Sequence, residues 1–314
     1  MIQTTEFRAM GCHIFAAIDN PDGIPSEALQ DMPGWFEGWE QSFSRFRPNS
    51  ELSLVNRSAG NATQVSHSFW EVLKVAERAE RDSGNLVSPT IYDQLVAAGY
   101  ESSFDNLPEN IQGTIAMENP GTFSMSDIQT ESKSRTIRLP FDSHLDFGGV
   151  AKGWAAHQAA ERLKVHGSAL VNAGGDIAIT GRMVDGSWWA VGVADPANPS
   201  DNLETLKLSR CGVATSGTDF RRWKKDGIWQ HHIIDPRTGL PAMTDILSAT
   251  VIAPDVIEAE INAKVAVILG STAALDWLEI HPSLAGILIL KNGRVVYSQR
   301  LAQYLWRTND QSKQ

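Results

Sequence analysis

Between Asp146 and Asp176 the chain reads DFGGVAKGWAAHQAAERLKVHGSALVNAGGD, two glycine-rich turns bracketing a helix and a strand. Gly148 and Gly149 lack a Cβ, so the backbone there can turn sharply and approach a ligand closely. Ala151, Trp154, Ala155, Ala159 and Leu163 then recur at three- and four-residue spacing, which predicts a helix that Gly167 ends. Its first turn combines free N–H groups, the positive end of the dipole and the Lys152 ammonium, a combination suited to phosphate. Ala169, Leu170 and Val171 read as a short buried strand running into a second tight turn, Asn172 to Asp176. Neither GxxxxGK[ST] nor GxGxxG is present. A glycine pair alone is usually an ordinary turn. Here Asp146 stands six residues before Lys152 across the double glycine, and that charge pattern points to an anionic cofactor.

With 314 residues, 42% hydrophobic and 20% charged, the chain can bury a sizeable core in one large or two modest domains. The expected arrangement is a single domain over 1–308, with two subdomains intertwined in it, and a polar disordered tail over 309–314. A net charge of −10 argues against nucleic acid or an anionic membrane surface as partner, since either needs a basic face. An anionic ligand must therefore meet locally placed cations. The opening MIQTTEFRAMGCHIFAAI has no basic leader before a long apolar core, and no apolar run approaches bilayer length, so a cytoplasmic location without membrane insertion is expected. Cys12 and Cys211 form neither a disulfide framework nor a metal knuckle and read as small core residues.

Glu6 to Ile18 alternates as a strand that breaks at Gly11. Trp35, Phe36, Trp39 and Phe43 form an aromatic stripe at helical spacing, most simply a core face. SRFRPNSELSLVN reads as a polar, basic loop, and Ser66 or Ser68 caps a helix that Gly84 ends. Residues 103–145 are strand-and-turn in character. Strands are predicted at Trp188–Val193, Leu206–Leu208, Gly212–Thr215, Leu247–Ile252, Gly286–Leu290 and Val295–Ser298, the last two joined by an Asn292-Gly293 turn. Helices are predicted at about Asp255–Leu269 and Ala273–Ile280. Strands grouped into hairpins with helices between the groups indicate α+β, antiparallel sheets with packed helices.

Two further constellations carry chemistry. In HHIIDPRTGLPA, His232 beside an apolar pair and a tight turn presents an imidazole at a strand edge, a natural proton acceptor at neutral pH. The same residues also fit two strand histidines, one facing out and one satisfied in the core. Arg237 could clamp a phosphate, although an arginine in a turn is more often solvated or paired. On IEAEINAKVAVILG, Glu260 and Lys264 are four residues apart and share a helix face, which reads as a surface ion pair unless the fold sets that face in a pocket.

In order and spacing, AMGC, SRFRPNSELSLVN, SPT, DFGGVAKGWAAHQAAERL, ALVNAGGDIAITG, ATSGTDF, HHIIDPRTGLPA and SATVIAP together resemble the FAD:protein FMN transferases of the ApbE type. The resemblance covers most of the chain. It implies a T-fold-like architecture of antiparallel sheets and helices holding FAD, and transfer of FMN from FAD to a Thr or Ser hydroxyl of an acceptor flavoprotein with release of AMP. It also implies a divalent metal, usually Mg²⁺; some members hydrolyse FAD. Carried over by position, Met10, Phe46 and the Gly99-Tyr100 turn lie along the flavin or adenine, and Asp146, Lys152 and Leu247 contact FAD. His232 becomes the general base and the Gly149 carbonyl the first metal ligand.

Three positions depart from the family pattern. Where the family's metal-binding form places Asp and Thr four residues apart, this chain has Glu260 and Lys264, and Ser88 stands where DPT is usual. Glutamate still offers oxygen to a hard cation, whereas an ammonium is no ligand and repels Mg²⁺. FAD binding is therefore expected to survive, with metal-dependent turnover weakened or working differently. An FAD-binding protein of the same fold that transfers nothing is the alternative.

Overall fold

The computed structural model describes residues 1–21, 27–108, 110–112 and 123–307. Its frame is an eight-stranded sheet in which every neighbouring pair is antiparallel and the strands follow one another in chain order. These strands are β1 (Ile2–Ala9), β2 (Cys12–Asp19), β3 (Ser168–Ala173), β4 (Asp176–Ile179), β5 (Cys211–Gly217), β6 (Ile246–Ala253), β7 (Ala285–Leu290) and β8 (Val295–Tyr297). Met10 and Gly11, both at positive φ (51° and 66°), make the turn between β1 and β2, which is the geometry a two-residue hairpin turn needs.

Side chains alternate across this sheet, and its inner strands are buried on both faces. On β2, β3, β5 and β6 one face presents Ile14, Ala16, Ala169, Val171, Ala214, Ala249 and Val251 to the helices. The opposite face carries Ala17, Leu170, Val213 and Ile252 against a two-stranded ribbon, Trp189–Asp195 with Asn198–Leu208. The second ribbon strand is much longer than the expected Leu206–Leu208. Its polar first half is interrupted by register shifts at Asn202, so it carries no clean alternation.

Helices α1 (Ala28–Phe43), α2 (Glu51–Arg57), α3 (His67–Asp82), α4 (Tyr92–Ala97) and α5 (Ala151–Leu163) are inserted between β2 and β3; α6 (Val256–Leu269) and α7 (Ser271–Ile280) lie between β6 and β7. The aromatic stripe is a core face: Trp39 and Phe43 meet the Trp154 ring of α5 edge-on at 5.4 and 5.3 Å. Ser66 caps α3 by accepting the Phe69 N–H at 3.2 Å. The SRFRPNSELSLVN segment is a loop only in its first half. Ser50 accepts the Ser53 N–H at 3.0 Å and starts α2, a capping signal hidden in a polar run. Between β5 and β6 lie the hairpin Arg222–Lys225 with Ile228–His231 and the small ribbon Ile234–Asp235 with Leu240–Pro241. Among the described residues no helix is long and apolar enough to cross a membrane. The expected tail, 309–314, lies outside the described residues.

The contact that sets the site is where α5 crosses α6 at Gly153. A Cβ there would lie 2.6 Å from Glu260 Oε2 and 3.2 Å from the Val256 carbonyl oxygen, both fixed in α6. The absence of a side chain lets the Gly153 N–H reach Glu260 Oε2 at 2.9 Å. Gly153→Ala is therefore expected to destabilise the fold by about 1–3 kcal/mol, overpacking outweighing the roughly 1 kcal/mol of helix propensity gained. Gly38→Ala on α1, where an added Cβ meets nothing within 4 Å, should instead be neutral or stabilising. Urea unfolding of the two variants checks this; equal effects would contradict the close approach.

Candidate functional site

A cavity of about 340 Å³ opens between the helical layer and the β5–β6 insertion, within the range of small-molecule sites. Its charged end is built from α5, α6 and β4. Lys152 Nζ lies 2.5 Å from Asp176 Oδ2 and 3.0 Å from Glu260 Oε1. Lys264 Nζ lies 2.9 Å from the same Glu260 oxygen. Glu260 has no exposed surface, and its other oxygen accepts the Gly153 N–H. One buried carboxylate thus holds two ammonium groups. The surface-pair reading of Glu260 and Lys264 is corrected: α6 is apolar around most of its circumference and largely buried, and this face meets α5 and the cavity rather than the outer surface.

The electrostatics follow from that burial. Desolvation opposes charge on Lys152, but Asp176 and Glu260 outweigh it and raise the ammonium above the ordinary lysine range. Burial pushes Asp176 up to about 6 against the pull of Lys152, which leaves it ionised at neutral pH. Burial would also raise Glu260, yet Lys152 and Lys264 hold it below the usual carboxylate range. Lys264 is lowered by its own burial, with Glu260 opposing and Lys152 repelling. Arg221, which lines the cavity and donates to the Gly11 carbonyl at 3.1 Å, adds a third cation. Lys152, Lys264 and Arg221 against Asp176 and Glu260 leave this end with an excess of one positive charge.

The other end is aromatic. Arg45 Nε pairs with Asp146 Oδ2 at 2.8 Å, and its guanidinium lies over the rings of Phe46 (4.3 Å) and Tyr100 (4.7 Å). Asp146 Oδ1 in turn accepts the Gly148 N–H at 2.7 Å, which fixes the entry into α5. Tyr100 stacks on Trp223 with centroids 5.1 Å apart. The arginine thus locks two ring walls in place.

His232 lines the cavity, its Nδ1 3.4 Å from the Arg221 carbonyl oxygen. That oxygen can only accept, so Nδ1 carries the hydrogen and Nε2 is left as the basic nitrogen. Burial, with Arg221 and Lys264 adding to it, holds His232 well below the ordinary imidazole value. His231 is satisfied elsewhere, 3.1 Å from the Ala242 carbonyl oxygen. Arg237 forms a two-pronged pair with Asp235 at 2.9 and 2.8 Å and takes no part in the cavity.

Of the residues singled out from sequence, Met10, Phe46, Tyr100, Asp146, Gly149, Lys152, His232 and Lys264 share this one cavity. Glu260 lies directly behind it. Gly99 and Leu247 are not in the lining. Gly99, at φ 99°, packs so close to Trp223 that a Cβ would lie 3.2 Å from the indole nitrogen, and Leu247 offers its carbonyl to the Thr218 N–H at 2.8 Å. Ser88 does line the cavity and shares a hydrogen bond with Thr90 at 2.7 Å. Sequence reasoning passed over Arg45, Asp176 and Arg221. Asp176 closes the second glycine turn and carried a signal, the third acid of that block; Arg221 carried none.

Glu260 and its neighbours do not fit a divalent cation. Oε1 already faces two ammonium groups and Oε2 a backbone N–H, whereas Mg²⁺ demands near-octahedral oxygen ligation. A +2 ion held about 4 Å from an ammonium at an effective dielectric near 20 would be repelled by roughly 8 kcal/mol. Glu260→Gln, which keeps the shape and removes the charge, is expected to lower stability by about 3–5 kcal/mol because two buried ammonium groups lose their shared counter-ion. Urea denaturation measures the loss; a change below 1 kcal/mol would contradict the shared-carboxylate geometry.

A family model described as the ApbE family matches residues 10–288. The FAD:protein FMN transferase of Treponema pallidum (strain Nichols) is 27% identical over 299 residues, 90% of this chain and 83% of that protein. That of Klebsiella pneumoniae (strain 342) is 28% identical over 265 residues, 81% and 80% of the two chains. In fold, the ApbE protein of Thermotoga maritima MSB8 superposes with a TM-score of 0.86 at 22% identity, covering 98% of this chain and 100% of the other. With a match across 10–288 and the same fold from end to end, this chain belongs to the ApbE family.

Proposed function

We propose that the protein moves FMN from FAD to a Thr or Ser hydroxyl of an acceptor flavoprotein and releases AMP. The observation that carries this reading is a neutral imidazole, His232, set in the same cavity as a surplus of positive charge. The Phe46 and Tyr100 walls suit a planar ring system, and the Lys152, Lys264 and Arg221 end suits a diphosphate. The Treponema pallidum and Klebsiella pneumoniae relatives are named FAD:protein FMN transferases.

In this reaction the acceptor hydroxyl oxygen bonds to the phosphorus on the flavin side of the diphosphate. The bond from that phosphorus to the bridging oxygen breaks, and AMP departs with the bridging oxygen and its electron pair. The hydroxyl proton goes to His232 Nε2 and later to water. Phosphoryl-type transfer needs positioning and neutralisation of charge more than covalent help. The fixed cations supply both. A second reading, a protein that holds FAD without transferring it, is favoured by the occupied Glu260 carboxylate, since a site that cannot take the ion has lost the family's usual activator.

Incubation with FAD and an acceptor domain, followed by intact mass of the acceptor, separates the two readings. A gain of one FMN supports transfer, and no gain with FAD still bound and intact supports holding alone. His232→Ala is expected to lower transfer by about 10²- to 10⁴-fold, with FAD affinity changed no more than a few-fold. The pH dependence has a definite sign. Because His232 sits well below its usual value, the proton-accepting form persists as pH falls through 6.5, so His232 should put no acid limb at 6.5 on kcat/KM, and a change near 6 belongs to Asp176. An acid limb centred at 6.5 or above would contradict the buried-imidazole assignment.

A further inference from the structure

We infer that Lys264 is the built-in cation of this site, its ammonium taking the position of a divalent metal between Glu260 and the FAD diphosphate, so that FAD binding and FMN transfer proceed without an added ion. The inference rests on the reading of the cavity as an FAD site. Three observations support it.

The first is donor accounting. An ammonium carries three N–H donors. Among the described residues Lys264 spends one on Glu260 Oε1 at 2.9 Å, and Lys152 spends two, on Asp176 and Glu260. Two donors on Lys264 and one on Lys152 remain for incoming phosphate oxygens. Both side chains line the cavity, so those donors face the space where a ligand sits.

The second is rigidity. Glu260 is fully buried, and the Gly153 N–H holds its far oxygen at 2.9 Å, so the carboxylate cannot swing to follow or release a mobile ion. Lys264 leans on a fixed anion as a metal would lean on its ligand. Its side chain is only 13% exposed, which keeps the charge in a region of reduced screening.

The third is placement. Lys264 and His232 line the same cavity, so the cation and the proton acceptor face one bound ligand. In the transfer step Lys264 neutralises the non-bridging oxygens while the new P–O bond forms and the bond to the bridging oxygen breaks. It gives up no proton: the acceptor's proton goes to His232, and AMP leaves with its electron pair.

The test uses the full-length protein, FAD, and an acceptor domain, with Mg²⁺ or with a chelator in excess. Wild-type FAD affinity by calorimetry and the transfer rate by intact mass should each differ less than two-fold between the two conditions. Lys264→Met should weaken FAD binding by about 10- to 100-fold and slow transfer by about 10²- to 10³-fold, whereas Lys264→Arg, which keeps the charge, should retain most of the affinity. If Lys264→Met fails to fold, the chelator comparison on the wild type stands alone. Manganese titration followed by electron paramagnetic resonance adds a readout free of activity: the wild type with FAD should show no saturable site, and Glu260→Asp with Lys264→Thr should gain one. Transfer that collapses in chelator, or a stoichiometric manganese site in the wild type, overturns the inference while leaving the transferase reading intact. Chelator-insensitive FAD binding that depends on Lys264, with no transfer to any acceptor, sustains Lys264 as the cation for FAD binding but overturns its part in transfer together with the transferase reading. Absence of FAD binding in both conditions overturns both.

Discussion

Everything around the cavity is arranged about one buried carboxylate. Glu260 has no contact with water, and an isolated ion so placed would cost several kcal/mol. It is tolerated because Lys152, Lys264 and the Gly153 N–H converge on its two oxygens. That convergence fixes how α5 and α6 cross, which in turn requires a residue without a side chain at 153. The turn preceding α5 is tied in as well, through Asp146, which holds the Gly148 N–H and Arg45 together. A single electrostatic knot thus couples the glycine turn, α5, α6 and the aromatic wall.

Such a knot is a poor device for stability alone, since well-packed apolar residues of the same volume often do as well. Its value lies in what it presents. Glu260 and Asp176 balance the charge of the two lysines but leave N–H donors over, and Arg221 adds the surplus charge, so the cavity offers an anion fixed donors that need not reorganise. Burial, with the same charges adding to it, keeps His232 neutral and therefore able to accept a proton. Holding cations beside a base would ordinarily weaken it; here the weakening ensures that the acceptor form is populated at neutral pH.

Much of the frame could be read from periodicity. The aromatic stripe of α1, the Ser66 cap, the Asn292-Gly293 turn and the central helix and strand are local signals, and the fold uses each as its chemistry suggests. Reading failed where a residue's role depends on partners distant in sequence. Arg45 looked like one more charge in a basic loop, yet it finds Asp146 and the Tyr100 carbonyl in another part of the chain. The spacing of Glu260 and Lys264 disclosed that they share a face but not that the face is buried. The signal is in the composition of VIEAEINAKVAVIL, which is apolar nearly all round and leaves little side for solvent, so that its ionic pair is internal.

The most direct test of the account is a crystal structure of the protein with FAD and manganese, with anomalous scattering recorded at the manganese edge. The account predicts phosphate oxygens within hydrogen-bonding distance of Lys264 Nζ and Lys152 Nζ, Glu260 still holding both ammonium groups, and no anomalous peak beside Glu260. An anomalous peak between Glu260 and the diphosphate, with Lys264 rotated out of the cavity, would contradict it.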